Sequence, residues 1–290
     1  MCIRDRVSTL TRDYERFAKE AKEICKDRVY TDHLRRYAYG VDASCYSYLP
    51  KVVVKAEDER EVRRLIRLCQ QCGTPFTFRA AGSSLSGQCS SEDVLIVCND
   101  GFKKMEVIDD GKALKCECGV IGSDANDLLK PYNRKIGPDP ATLATALVGG
   151  ILNNNSSGMC CGTAQNSYKT IRSIRVVLLD GTVLDTSDKK SIEQFLREKP
   201  QMVEDILQLR KEILADEELT HLIHHKYKIK NTTGYGLNSL VDFEDIIDII
   251  NHLFIGSEGT LGFVSEIVYN TVEDLSLIHI FRAHETVLDL

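Results

Sequence analysis

Two stretches of small residues hold the chemistry this chain could do. The first, Arg79-Ala80-Ala81-Gly82-Ser83-Ser84, continues through Ser86, Gly87 and Gln88 and directly follows the apolar run Phe76-Thr77-Phe78. Small side chains let successive backbone N–H groups line one concavity, and a concave row of amides holds an anion. Ser83, Ser84 and Ser86 add hydroxyl donors, and Arg79 adds a fixed positive charge at the mouth. An ordinary polar turn would have much the same composition. A second stretch, Gly149-Gly150-Ile151-Leu152-Asn153-Asn154-Asn155-Ser156-Ser157-Gly158, decides between them. Two such loops in one chain point to a long ligand with a diphosphate in its middle.

Other reactive residue types read more plainly. Cys69 and Cys72 have redox-motif spacing but lie inside an amphipathic helical pattern, where packing explains them. Adjacent thiols such as Cys160-Cys161 rarely chelate one ion, and no second cysteine pair stands at zinc spacing. His221, His224 and His225 could grip a metal, yet no nearby Glu or third His in an apolar setting completes a site, so they read as surface histidines and no metal is expected. His33 and His252 are isolated. No residue stands out as a catalytic base, and the catalytic residues stay unassigned.

The elements that must position the two loops follow from periodicity. At 290 residues and 43% hydrophobic, the chain can bury a core as one large or two smaller domains. Its net charge is -6 with Lys and Arg spread evenly, unlike a nucleic-acid footprint. The 11 cysteines lie scattered in strand-like and helical runs, as reduced core thiols do. Residues 8–28 read as a solvent-facing helix, with Leu10, Tyr14, Phe17, Ala21 and Ile24 on one face. Val52–Val54, a helix from Glu57 to Gln71 and the strand Phe76–Phe78 form a βαβ unit that delivers the chain to the first small-residue loop. Strands follow at 93–98, 105–108 (an edge strand) and 113–118, and Ser123 is expected to cap a helix from Asp124 to about Tyr132. Gly137-Pro138-Asp139-Pro140-Ala141-Thr142 must be a fixed extended loop. Residues 174–184 read as a hairpin turning at Asp180-Gly181, and Ser191 to Lys226 as a helical insertion. A helix from Asp242 to Leu253 then leads through Gly256-Ser257-Glu258-Gly259-Thr260-Leu261-Gly262 into the strand 267–272.

Together, Arg79 to Gln88, Gly137 to Thr142, Gly149 to Gly162, Lys230 to Gly236 and Gly256 to Gly262 resemble the FAD-binding (PCMH-type) domain of the vanillyl-alcohol oxidase superfamily. More narrowly, they resemble bacterial FAD-linked D-lactate, glycolate and D-2-hydroxyglutarate dehydrogenases, in the long form fused to an iron–sulfur module. The likeness spans about residues 30 to 273. It implies an α+β fold of two α/β subdomains with FAD between them, plus an N-terminal helix and a helical insertion. By resemblance, the loop matching Arg79 to Ser84 wraps the FAD pyrophosphate. The segments matching Pro138 to Thr142 and Asn154 to Gly158 line the rest, with Gly149, Gly150 and Asn153 just ahead of them. Glu258 and Gly262, with Gly259 and Val264 beside them, match the adenine and ribose side. Some relatives bind flavin covalently through a His in the first loop, and this loop has none, so non-covalent FAD is expected. Independently of the resemblance, a nicotinamide site needs Gly-x-Gly-x-x-Gly opening a helix, whereas here Gly87-Gln88 runs into a polar loop.

The expected division is a lead-in at 1–48, an FAD-binding domain at 49–273 (subdomains 49–122 and 123–273, insertion 188–228) and a tail at 276–290. Residues 1–6 and the tail resemble translated adaptor read-through, so both are expected to be non-native and the natural protein to continue into a cap domain. The implied activity is hydride transfer from a small D-2-hydroxy acid to flavin, with electrons leaving to an iron–sulfur partner or a quinone. Any iron–sulfur cluster would lie in that missing part or in the partner. This chain alone would then bind FAD without turnover. A flavin-carrying subunit without turnover of its own and an NADPH-dependent enolpyruvyl reductase are the alternatives. With no long apolar span and no leader, the expected location is the cytoplasm, or the periphery of the inner membrane.

Overall fold

The computed structural model describes residues 12–232 and 234–275, so Leu10 and the two ends expected to be non-native lie outside the described residues. Two sheets form the frame. In the first, β1 (Val29–Tyr30) runs antiparallel to β2 (Val52–Lys55), and β2, β4 (Val94–Val97) and β3 (Phe76–Arg79) are parallel, in the order β1-β2-β4-β3. The apolar runs of β2 and β4 are covered on both faces, as parallel strands require. Helices α1 (Tyr14–Cys25) and α3 (Glu59–Cys72) cover one face with Phe17, Ala21, Val62, Leu65 and Ile66. Tyr30 and Tyr39 cover Val53, Leu95 and Val97 on the other, Tyr39 just following the short helix α2 (His33–Ala38). Asp58 caps α3 by accepting from the Glu61 N–H at 2.8 Å, and Gly73 ends it at φ +63°, a left-handed turn that glycine adopts without strain. The expected βαβ unit forms with β4 inserted between its two strands.

The second sheet is antiparallel, in the order β5 (Met105–Ile108), β6 (Ala113–Glu117), β10 (Gly262–Glu273), β8 (Ile171–Leu178), β9 (Val183–Asp185). A short strand, β7 (Arg134–Ile136), pairs with the far end of β10. Here the structure corrects the expected subdomain boundary: β5 and β6 precede residue 122 yet belong to the second sheet, because β6 finds its partner in β10, about 150 residues later. The hairpin at Asp180-Gly181 forms, with Gly181 at φ +84°.

Helix α4 (Gly122–Leu129) starts from Ile121, so Ser123 lies inside it and caps nothing. Helices α5 (Val148–Asn154) and α6 (Ser167–Thr170) flank the second sheet. Residues 188–228 fold as α7 (Lys189–Glu198), α8 (Pro200–Ala215) and α9 (Glu217–Lys226). Ile213 and Ile223 tie α8 and α9 to Leu240 of α10 (Ser239–Asp242) and Ile249 of α11 (Ile246–Leu253). The single helix expected over 242–253 is thus broken at 243–245, where the Asp245 carboxylate caps the N–H groups of Ile247 and Asp248. The two sheets are joined where Glu59, at the start of α3, meets Arg175 of β8 at 2.8 Å and accepts from Ser265 of β10. Phe263 fills the seam against Phe78 and Phe102.

Candidate functional site

A cavity of about 560 Å³ opens where β3 ends in the first sheet and faces α5 and the start of β10 in the second. Crevices beyond the carboxyl ends of parallel strands are where α/β sheets present their loops to ligands. Arg79, Ala80, Ala81, Gly82, Ser83, Ser84, Ser86 and Gln88 form one wall. Gly149, Gly150, Asn153, Asn154, Ser156 and Ser157 form the other, and Thr142, Glu258, Gly259, Gly262 and Val264 close the groove. Gly87, Pro138, Asp139 and Gly158 do not line it.

Three of the expected roles change. The Arg79 side chain is not a free charge at the mouth: its guanidinium donates to the carbonyls of Tyr39 at 3.0 Å and Val41 at 2.8 Å, bracing the segment behind the loop. Gly82, at φ +77°, makes room for that guanidinium, since a Cβ there would lie 2.2 Å from Arg79 Nη2. Asp139 works as an internal clamp, accepting from the backbone N–H groups of Gly158 (2.8 Å), Cys160 (3.1 Å) and Cys161 (3.2 Å). Burial pushes its carboxyl up, but the hydrogen bonds from Cys161, Gly158 and Cys160 outweigh this and hold it below the usual carboxylate range.

The second small-residue stretch is also not a loop through most of its length. Residues 148–154 are helix α5, and only 155–158 turn away from it, starting from Asn155 at φ +52°. Its glycines serve close packing: a Cβ on Gly149 would sit 2.6 Å from Cys118 Cβ and 3.0 Å from the Cys118 carbonyl oxygen.

A chain of hydrogen bonds crosses the cavity from wall to wall. Ser84 Oγ donates to Gln88 Oε1, Gln88 Nε2 to Glu258 Oε1 at 3.3 Å, Asn154 Nδ2 to the same oxygen at 2.6 Å, and Ser156 Oγ to Asn154 Oδ1 at 2.7 Å. Burial raises the Glu258 carboxyl above its ordinary pKa, with Asn154 and Gln88 partly opposing it. Glu258 is the only acidic side chain on the cavity wall among the described residues. The wall also contains residues the sequence reading did not assign. Phe78 and Phe263 make an apolar end, with Cys98 and Cys118, whose buried thiols are raised well above their usual range. Lys230 and Thr232 enter from the loop before α10, and Lys230 Nζ donates to the Ser157 carbonyl. That loop was already marked by its Lys-Asn-Thr-Thr-Gly wording, but sequence alone did not say which of its residues turn inward.

These walls fit a dinucleotide with a central diphosphate. Among the described residues, small residues stand on both sides, anionic charge is limited to one carboxyl that burial favours in its neutral form, and the Ser157 hydroxyl, buried in the wall, has no protein partner. Comparison with known proteins agrees. Residues 50–187 match the sequence family described as the FAD binding domain. The D-2-hydroxyglutarate dehydrogenase of Pantoea ananatis (strain AJ13355) is 26% identical over 243 residues, covering 81% of this chain and 24% of that protein. The glycolate oxidase subunit GlcD of Bacillus subtilis (strain 168) is 24% identical over 243 residues, covering 82% of this chain and 40% of the subunit. The chain therefore spans about a quarter of the length of the D-2-hydroxyglutarate dehydrogenases it matches. In architecture it superposes on alkyldihydroxyacetonephosphate synthase with a TM-score of 0.60 at 18% identity, over 92% of this chain and 42% of the synthase. Residues 50–187, which contribute both small-residue walls, thus match an FAD binding domain, and the chain shares its overall architecture with the synthase.

Proposed function

We propose that the cavity holds FAD non-covalently and serves the oxidation of a small 2-hydroxy acid to the 2-oxo acid. The observation that carries this reading is the pair of small-residue walls facing each other across one cavity within the FAD-binding match. In this reading the backbone N–H groups of Ala80 to Ser84, which line the cavity, take the diphosphate, with hydroxyls from Ser83 and Ser84. Thr142, Asn153, Asn154, Ser156 and Ser157 offer polar contacts along the second wall, and Glu258, Gly259, Gly262 and Val264 face the adenine and ribose end. Arg79 and Asp139 act behind the walls, fixing the backbone of each. Phe78 and Phe263 exclude water from the apolar end. FAD, when bound, supplies a two-electron acceptor for the α-carbon hydride.

The substrate class rests on the names of the relatives, D-2-hydroxyglutarate dehydrogenase, glycolate oxidase subunit and D-lactate dehydrogenase. Onward transfer of electrons to an iron–sulfur partner or a quinone belongs to the same reading. The purified protein is expected to show oxidised-flavin absorption and to release FAD on acid precipitation. Flavin that stays with the precipitate, or release of FMN, overturns the cofactor assignment. The natural full-length protein is expected to reduce an artificial acceptor with D-lactate, glycolate or D-2-hydroxyglutarate. Inactivity with all three refutes the substrate class while leaving the cofactor result standing.

A further inference from the structure

Behind the flavin cavity lies a second one of about 540 Å³, sharing none of its wall residues. The two are back to back. Asn154, Ser156, Lys230 and Thr232 line the first, while Asn155 and Asn231, which alternate with them along the chain, line the second. The second cavity is enclosed by the end of α9, the start of α6 and the turn into α10, so it is built from the histidine-rich helix that the flavin reading leaves unused.

Its polar groups are arranged, not scattered. Among the described residues Asp242 is fixed through one oxygen only: Oδ2 accepts from Tyr168 Oη at 2.8 Å and from Asn238 Nδ2 at 3.0 Å. The other oxygen, Oδ1, faces His224 Nδ1 across 4.0 Å. That is too long for a hydrogen bond, but one oxygen atom placed between them can donate to Asp242 and accept from the imidazole N–H. The amide oxygens of Asn155 and Asn238, both in the wall, lack a protein partner among the described residues as well. A ligand suited to this side must therefore offer a donor. On the remaining rim, Lys169 and Lys228 supply two positive charges against the single negative charge of Asp242. A ligand suited to that side must be an anion. A hydroxycarboxylate answers both demands, whereas a simple carboxylate answers only the second.

We propose that this second cavity binds a small hydroxycarboxylate, its hydroxyl bridging Asp242 Oδ1 and His224 Nδ1 and its carboxylate facing Lys169 and Lys228. The proposal does not depend on what the first cavity holds. It is tested by titrating the protein calorimetrically with two matched pairs, glycolate against acetate and lactate against propionate, with flavin absorbance read on the same samples. Each hydroxy acid is expected to bind at least about tenfold more tightly than its partner, as one charge-assisted hydrogen bond would give. His224→Ala and Asp242→Asn should each bring that ratio close to one, whereas Lys228→Gln should weaken both members of a pair alike. His224 and Lys228 are exposed, so their substitution leaves the fold intact. Equal binding within each pair, no saturable binding at millimolar acid, or discrimination that survives both His224→Ala and Asp242→Asn would overturn it. Because flavin content is followed separately, such a failure is distinct from a failure of the FAD assignment.

Discussion

The two walls of the cavity proposed to hold flavin look alike in sequence and are built differently. The Arg79–Gln88 wall is irregular backbone that turns at Gly82 and Gly87, with φ +77° and +74°. The facing wall is the helix α5, whose Gly149 has an ordinary helical backbone. In the first wall glycine is needed for its conformation. In the second it is needed for its missing side chain, because α5 lies directly against Cys118, just past the end of β6. A run of small residues therefore signals that something must come close, a ligand on one side or a neighbouring backbone on the other, and the two demands fail differently when a side chain is added.

Substitution at Gly149 should have the largest effect. Gly149→Val forces α5 away from Cys118, whose backbone cannot yield, and is expected to cost about 3 kcal/mol of stability in urea unfolding and to abolish flavin retention. A loss below about 1 kcal/mol, within the range of a tolerated substitution, would show that α5 is free to move and that its glycines are there for the ligand. Gly82→Ala should cost less, about 2 kcal/mol, from the left-handed backbone together with the contact on Arg79. The steric part should vanish when the guanidinium is removed. In an Arg79→Ala background the same change is expected to cost only about 1 kcal/mol, the conformational part. Equal costs in the two backgrounds would mean that Arg79 does not press on the loop.

The walls meet at Glu258, and pH should read that meeting point. Burial raises its folded pKa above the ordinary value of 4.5, so between the two values the folded protein holds a proton that the unfolded chain has released. Stability contributed by this proton is complete below 4.5 and is lost as pH rises through the folded pKa. Flavin affinity should fall over the same interval, since an ionised carboxylate in the cavity repels a diphosphate. Glu258→Gln keeps an acceptor for Asn154 and should flatten both profiles, with flavin still bound at neutral pH. Profiles indistinguishable from those of the unsubstituted protein would show that Glu258 stays ionised throughout.

Much of the frame was legible because local signals and tertiary structure agreed. Asp58 and Gly73 mark both ends of α3, and the alternation in 113–117 marks a strand. The grouping of strands was not legible: nothing local in Ala113–Glu117 indicates that its partner lies at 266–270. At the site, sequence located the walls but not the direction of their side chains. Arg79 looked like a ligand charge because arginine beside glycine and serine usually faces an anion, yet two backbone carbonyls elsewhere in the chain compete for it. Asp139 sits in a family motif and still faces inward, toward amides about 20 residues further on. Helix α5 was hidden by Gly149 and Gly150, poor helix formers whose propensity is overridden by packing on Cys118.

The smallest effect belongs to Cys160, and its smallness makes it informative. The Gly158–Cys161 turn holds the end of the helical wall through its backbone, with three N–H groups donating to Asp139. The Cys160 side chain is exposed, whereas the neighbouring Cys161 is buried, with its thiol close to the Gly158 carbonyl. If the backbone alone does the holding, Cys160→Ser retains the donor to Asp139 and should change stability by less than about 0.5 kcal/mol, as surface substitutions usually do. Flavin content should be unchanged. Asp139→Asn offers the contrast at the other end of the same hydrogen bond: it weakens all three contacts while leaving both thiols in place, and should loosen the wall and lower flavin retention. Flavin loss in Cys160→Ser with retention in Asp139→Asn would reverse this assignment and make the exposed thiol, rather than the carboxylate clamp, the group on which the second wall depends.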